Sequence, residues 1–137
     1  MKDVFCKIID GEIPSTKIYE DDDVLAILDI SQVTRGHTLV IPKAHYDNFL
    51  SCPPELAHKV FDVAQRIGQA MMSEIGAEGI NILTNVKEVA GQSVNHFHVH
   101  VIPRYRANEG FQITMKAQDV SSIDLPRIAM AISDNLK

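Results

Sequence analysis

The sequence predicts an α+β domain, an antiparallel sheet of about five strands with one long helix and a C-terminal helix, the helices on one face. Three observations predict it. Short apolar runs are bounded by Gly, Pro, Asp and Asn, the pattern of strands. Only one stretch, Leu56 to Ile75, sustains a 3.6-residue apolar period over many turns. Most strand-like runs are consecutive or joined by short loops, which favours antiparallel neighbours.

Val4 to Ile9 reads as a short helix, stopped by Asp10-Gly11 with Pro14 beyond. Lys17-Ile18-Tyr19 and Val24 to Leu28 bracket the acidic turn Glu20-Asp21-Asp22-Asp23 and read as a hairpin. Thr38-Leu39-Val40-Ile41 is a further strand ended by Pro42. The long helix opens at Pro53-Pro54-Glu55 and closes near Gly76. Its stripe is Leu56, Val60, Val63, Ala64, Ile67, Met71 and Ile75. Ile80 to Thr84 and His96 to Ile102 read as strands separated by the polar loop Asn85 to Asn95, and Phe111 to Met115 as one more. Asp124 to Leu136 ends the chain as a helix with Pro126 in its first turn.

A chain of 137 residues fits one domain, 1–137, large enough to fold without disulfides. The net charge of −5 counts against non-specific nucleic-acid binding, which needs clustered Lys and Arg, but leaves room for a small phosphate ligand. No run approaches the length of a membrane span, and Met1 to Lys7 acquires charge at once rather than forming a signal peptide. Cys6 and Cys52 lie far apart and match no CxxC pattern, so they read as reduced thiols of a cytoplasmic protein.

Function is concentrated in His96-Phe97-His98-Val99-His100. Alternation at the period of a strand puts three imidazoles on one face and Phe97, Val99 and Val101 in the core. Such a face would be a polar surface, a metal site, or a site for nucleophilic and acid/base work on a phosphate. An imidazole pair on a strand chelates zinc but wants a third His or a carboxylate. A neutral imidazole attacks phosphorus while a protonated neighbour stabilises charge. The preceding Ala90-Gly91-Gln92-Ser93-Val94-Asn95 favours phosphate: it is small and polar, and Gly91 admits close backbone approach.

The segment His96 to Ile102 resembles the signature of the histidine triad (HIT) family, together with Gly91-Gln92-Ser93-Val94, Gly36 to Lys43, Leu28-Asp29-Ile30-Ser31, Phe5 to Ile9 and Gly11-Glu12-Ile13-Pro14. The motif-bearing core is 4–105, with 106–137 an extension. The branch it is most similar to is the Hint-type nucleotide phosphoramidases. The resemblance implies a HIT-like fold and cleavage of a purine nucleoside 5′-phosphoramidate or acyl-adenylate at the α-phosphate, through a covalent nucleotidyl-His98. Two alternatives stay open: a dinucleoside polyphosphate hydrolase, and a nucleotide-binding regulatory protein with weak catalysis.

By the same resemblance, His100 contacts the phosphate, His96 acts through hydrogen bonds, and His37 supports the triad from an adjacent strand. Ser93 assists proton delivery to the leaving group, and Asp29 accepts the ribose hydroxyls. Ile30 walls the base pocket with Phe5, Ile8, Ile13 and Ile27, although core packing is the simpler role of those aliphatics. Asn85 lies near ribose and phosphate, with Gly91 and Val94 beside the substrate. A homodimer is implied, pairing long helices and a sheet strand. Some relatives carry zinc on two N-terminal cysteines, the histidine after Pro-Lys and a triad histidine. Here Cys6, His45 and His96 are present, but Asp3 stands for the first cysteine. The expectation is therefore that no metal or other cofactor is required, with His45 a loop histidine and His58 facing solvent.

Overall fold

The computed structural model describes residues 2–136. Five antiparallel strands form one sheet in the order β1-β2-β3-β5-β4. They are β1 (Lys17–Glu20), β2 (Val24–Leu28), β3 (Thr38–Pro42), β4 (Gly79–Leu83) and β5 (Val99–Arg104). Helix α1 spans Val4–Ile9, α2 Pro54–Glu74 and α3 Leu125–Ser133. The crossover through α2 carries the chain past β3 to the far edge, and β5 then returns into the gap between β3 and β4.

The sheet is covered on both faces, not one as expected. Val24, Ala26, Val40, Val99 and Val101 form one core cluster with the α2 stripe residues Val60, Val63, Ala64, Ile67 and Met71. Leu25, Ile27, Leu39 and Ile41 point the other way and pack with Phe5 and Ile8 of α1. The reason is visible in β2, whose first four residues are all buried, a continuous apolar strand rather than an alternating one. At α1, the Asp3 side chain accepts the Cys6 amide at 2.8 Å as N-cap. Pro54 opens α2 and Gly76, at φ +77°, follows its last turn.

Several expected boundaries change. Strand β5 begins at Val99, so His96 and His98 precede the ladder and only His100 lies within it. Edge strand β4 ends at Leu83, opposite His100, and β3 pairs only as far as Val99. Phe111 to Met115 forms no strand: it runs past the sheet with no neighbouring strand and ends largely exposed. Its entry is fixed at Gly110, where a Cβ would meet the Val33 carbonyl oxygen at 2.0 Å. Helix α3 forms inside the expected segment, with Leu125, Ile128, Met130 and Ile132 exposed. Among the described residues no helix is long and apolar enough to cross a membrane.

Candidate active site

Phe97, Val99 and Val101 enter the α2 core while His98 and His100 face the α1 side, so the alternation survives although β5 starts late. The His98 and His100 rings lie 5.1 Å apart, centroid to centroid, close enough for one phosphate to meet both. Phe5 stands edge-on to His98 from α1. Thr84 donates its hydroxyl to the His98 carbonyl at 2.7 Å, tying the His98 backbone to the end of β4.

The hydrogen bonds assign the tautomers. His98 Nδ1 lies 2.7 Å from the His96 carbonyl oxygen, which only accepts, so Nδ1 carries the proton and Nε2 keeps its lone pair. His96 is wholly buried and points Nε2 at the Pro42 carbonyl, 2.9 Å away. His37, on the loop entering β3, places Nε2 2.9 Å from His100 Nδ1. Asp29 Oδ2 sits 3.7 Å from the same His37 atom, and its Oδ1 accepts the Ser31 amide at 2.7 Å. Asp29, His37 and His100 thus form one connected group at the ends of β2, β3 and β5.

Burial lowers the pKa of both the His98 and the His100 ring. For His98, loss of solvent outweighs the His96 carbonyl, which favours the charged form. His100 is brought down to about 4 by burial first, then by its neighbours His98 and His37, against the pull of Asp29. Both are neutral at pH 7.

The loop before the histidines is buckled by Gln92, only 8% exposed. Its amide nitrogen donates to the carbonyls of Asp47 (2.6 Å) and Val94 (3.0 Å), and its oxygen accepts the Lys87 amide at 2.8 Å. Lys87 adopts φ +76° and Gly91 φ +100°. Ser93 and Gly91 are exposed, and Asn85 donates to the Gly91 carbonyl at 3.3 Å. A cavity of about 280 Å³ lined by Lys87, Glu88, Gln92, Ser93 and Asn95 adjoins this loop. A more apolar cavity of about 430 Å³, between α2 and the β2–β3 end, is lined by other residues, among them Ile67, Met71 and Ile75, on the opposite face from the triad.

Several expected residues therefore converge and others do not. His37, Asp29, His98 and His100 come together. Ile30 is 98% exposed, whereas Phe5, Ile8 and Ile27 pack in the α1 core. His58 faces solvent on α2 as expected. Gln92, Thr84 and the Pro42 carbonyl had no role in the sequence reading. Gln92 stood there only as part of the Gly91-Gln92-Ser93-Val94 motif, and its burial is visible only in the fold.

Asp3, Cys6, His45 and His96 also converge. Asp3 Oδ2 lies 2.9 Å from His45 Nδ1, 3.1 Å from His96 Nδ1 and 3.4 Å from Cys6 Sγ. Cys6 Sγ is 3.6 Å from His96 Nδ1 and 3.8 Å from His45 Nδ1. One carboxylate, one thiol and two imidazoles at such separations fit a four-coordinate cation of the zinc class.

This fold and this histidine cluster define a class of small α+β proteins that carry their chemistry on imidazoles beside a glycine-bearing loop. The chain belongs to the HIT family: the model described as "HIT domain" matches residues 10–107. It is 50% identical over 135 residues to "Protein hit" of Bacillus subtilis, covering 97% of this chain and 93% of that one. It is 43% identical over 101 residues to "Adenylylsulfatase HINT3" of Arabidopsis thaliana, 74% of this chain and 51% of that one. The crystal structure of a HIT family protein from Bacillus anthracis superposes with a TM-score of 0.91 at 48% identity, covering 98% of this chain and 96% of that one.

Proposed function

We propose that the chain cleaves a purine nucleoside 5′-phosphoramidate or a mixed anhydride such as an acyl-adenylate at the α-phosphate, through a nucleotidyl-His98 intermediate. Membership supports the broader statement, since HIT proteins are nucleotide-binding hydrolases and transferases, and one relative is named an adenylylsulfatase.

The observation that carries the reading is the His98 tautomer. Nδ1 is committed to the His96 carbonyl, burial disfavours the imidazolium, and Nε2 is left with an unprotonated lone pair. Nε2 attacks phosphorus, a P–N(His) bond forms, and the bond to the leaving amine or acyl oxygen breaks. An amine leaves with a proton supplied by water or the Ser93 hydroxyl, whereas a carboxylate needs none. Water then attacks phosphorus, its hydroxyl forms the new P–O bond as the P–Nε2 bond breaks, and its proton passes to His98 Nε2 and on to the Ser93 oxygen, or to solvent where water had supplied the first proton.

His100 stabilises the charge. His37 Nε2 holds His100 Nδ1 at 2.9 Å, which turns the other edge of the His100 ring toward the phosphate. Asp29, braced by the Ser31 amide, accepts the ribose hydroxyls. Gly91 and Val94 border the phosphate and Asn85 holds the Gly91 carbonyl, while Ile30 becomes a base contact only once a ligand or second subunit covers it. The expected assembly is a homodimer that pairs long helices and a sheet strand. A cation on Asp3, Cys6, His45 and His96 would brace His96 through its buried Nδ1, and no step of the chemistry runs through it.

The test compares turnover of adenosine 5′-phosphoramidate, an acyl-adenylate and a diadenosine polyphosphate, with mass spectrometry of the quenched protein. The reading expects preference for the first two, an adenylyl adduct on His98 and loss of at least about 10³-fold in kcat for His98→Ala. Preferred cleavage of the dinucleotide, or full activity in His98→Ala, would reject it.

A further inference from the structure

We propose that Lys87 marks a leaving-group subsite: with Glu88 and Ser93 it lines a recess that takes a leaving amine bearing a carboxylate, the chemistry of an amino acid. This rests on the cleavage proposed above and names the leaving group which that reading leaves open.

Lys87 is held in a strained backbone. It adopts φ +76° and ψ 158°, a conformation that is essentially glycine's own, and it is the one non-glycine residue at positive φ among the described residues. The turn asks only for the main chain of residue 87. Its amide donates to Gln92 Oε1 at 2.8 Å, and its carbonyl accepts the Ala90 and Gln92 amides, each at 3.1 Å. Gln92 is in turn fixed by the Asp47 and Val94 carbonyls. A glycine at this position would make every one of these bonds without the strain. The fold makes no use of the lysine side chain either. Lys87 is exposed, and its ammonium joins none of the ion pairs among the described residues, whereas Lys2, Lys17, Lys43 and Lys59 each face a carboxylate.

The location supplies the use. Lys87, Glu88, Gln92, Ser93 and Asn95 line the recess of about 280 Å³ on the loop that leads into the histidines. In the proposed reaction the leaving group stands across phosphorus from His98 Nε2, and Ser93 is the hydroxyl that serves it. A recess walled by Ser93 is therefore on the leaving-group side. Its volume lies just under the roughly 300–1,000 Å³ of a pocket for a drug-sized ligand, which suits a small group rather than a second nucleotide.

Charge narrows the choice. A chain of net charge −5 does not draw anions by its overall field, so an anionic leaving group needs a local cation, and Lys87 is the cation on this wall. Its flexible four-carbon stem lets the ammonium follow a carboxylate. Glu88 sets one negative charge beside it, so a single carboxylate next to Lys87 is accommodated while the several charges of a polyphosphate are repelled. The subsite takes no part in bond making; it selects and holds the group that departs.

The test compares kcat/KM for the adenosine 5′-phosphoramidates of glycine and of glycinamide, which differ by a carboxylate against a neutral amide. The ratio of the two, followed from variant to variant, cancels the unequal reactivity of the amines. Lys87→Gln should lower the glycine-to-glycinamide ratio about threefold to fivefold, the worth of one partly exposed charge pair, and Lys87→Arg should largely keep it. Glu88→Gln should raise the ratio, and molar salt should erode it in the wild type. Lys87→Gly should lose the preference while raising the melting temperature, since it releases the backbone strain. A ratio unchanged in Lys87→Gln, or a Lys87→Gly chain that melts below the wild type, would overturn the proposal. Turnover of neither phosphoramidate by the wild type would reject the underlying cleavage, and this subsite with it.

Discussion

The Phe5 ring meets the His98 imidazole edge to face, centroids 4.9 Å apart and planes at 75°. Helix α1 is thereby more than a lid on the Leu25–Ile27–Leu39–Ile41 cluster: it presses a rigid aromatic onto the residue with the free lone pair. Phe5→Ala should cost about 3–5 kcal/mol, because a buried ring is lost and the short helix collapses only partly into the space. Phe5→Leu retains most of the apolar volume and should cost less than half as much. If the ring also positions His98, Phe5→Leu lowers kcat beyond its small drop in melting temperature. Equal kcat for wild type and Phe5→Leu would confine Phe5 to packing.

The pH dependence follows from the two depressed imidazoles. His98 is lowered by burial and His100 is brought to about 4, against an ordinary value of 6.5. The unfolded chain therefore binds more protons than the folded one between about pH 4 and 6.5, and stability rises with pH across that window. Denaturant midpoints should fall as pH drops from 6.5 toward 4, and less so in His100→Asn. If His98 is the nucleophile, the acid limb of kcat/KM should lie below pH 6.5, because its lowered pKa keeps the ring neutral there. A limb above pH 7 would contradict the assignment.

Asp29 offers a carboxylate whose Oδ1 is occupied by the Ser31 amide and whose Oδ2 lies 3.7 Å from His37 Nε2. A ribose diol would reach both the carboxylate and, through His37, the chain to His100. Asp29→Ala should raise KM about tenfold or more for nucleoside substrates, with a smaller loss in kcat from the loosened His37. An unchanged KM would remove Asp29 from the binding site.

The legible parts of this protein are those set by local periodicity. Alternation at 96–101 placed Phe97, Val99 and Val101 inside and His98 and His100 opposite, and the stripe from Val60 to Met71 located the long helix. What periodicity could not supply is the partner across space. The start of β5 depends on where β3 and β4 stop pairing. The second covered face depends on α1 folding back over β2, which its four consecutive buried residues hinted at but short runs leave ambiguous. The His37–His100 contact joins residues 63 apart, and the Asp3–His96 contact residues 93 apart. Phe111 to Met115 has strand-like residues but no neighbour to pair with, and propensity without a partner yields no strand. Asp3 shows the same limit in the site: no local pattern places its carboxylate beside Cys6, His45 and His96.

Gly110 gives the last prediction. It sits where the turn after β5 presses against the loop that carries His37, and a Cβ there would lie 2.0 Å from the Val33 carbonyl oxygen and 3.0 Å from its carbon. Backbone cannot yield as a side-chain tip does, so Gly110→Ala must push apart the 105–110 turn and the 32–36 loop. Both are anchored, the first by Glu109 on the Arg104 guanidinium at 2.9 Å, the second by the Thr34 hydroxyl on the Pro103 carbonyl at 2.6 Å. The substitution should therefore cost about 1–3 kcal/mol, the range of an overpacked contact. The Val33 amide faces His37 Nδ1 at 3.5 Å, so the displacement should also reach the His37–His100 pair and lower kcat/KM. Gly11→Ala is the control: Gly11 sits at φ +82°, unlike Gly110, and has open space around it, so its strain stays local. It should cost about 1 kcal/mol of backbone strain and leave kcat/KM unchanged. Equal activity in the two variants, measured alongside their melting temperatures, would show that the Val33 contact does not reach the histidines.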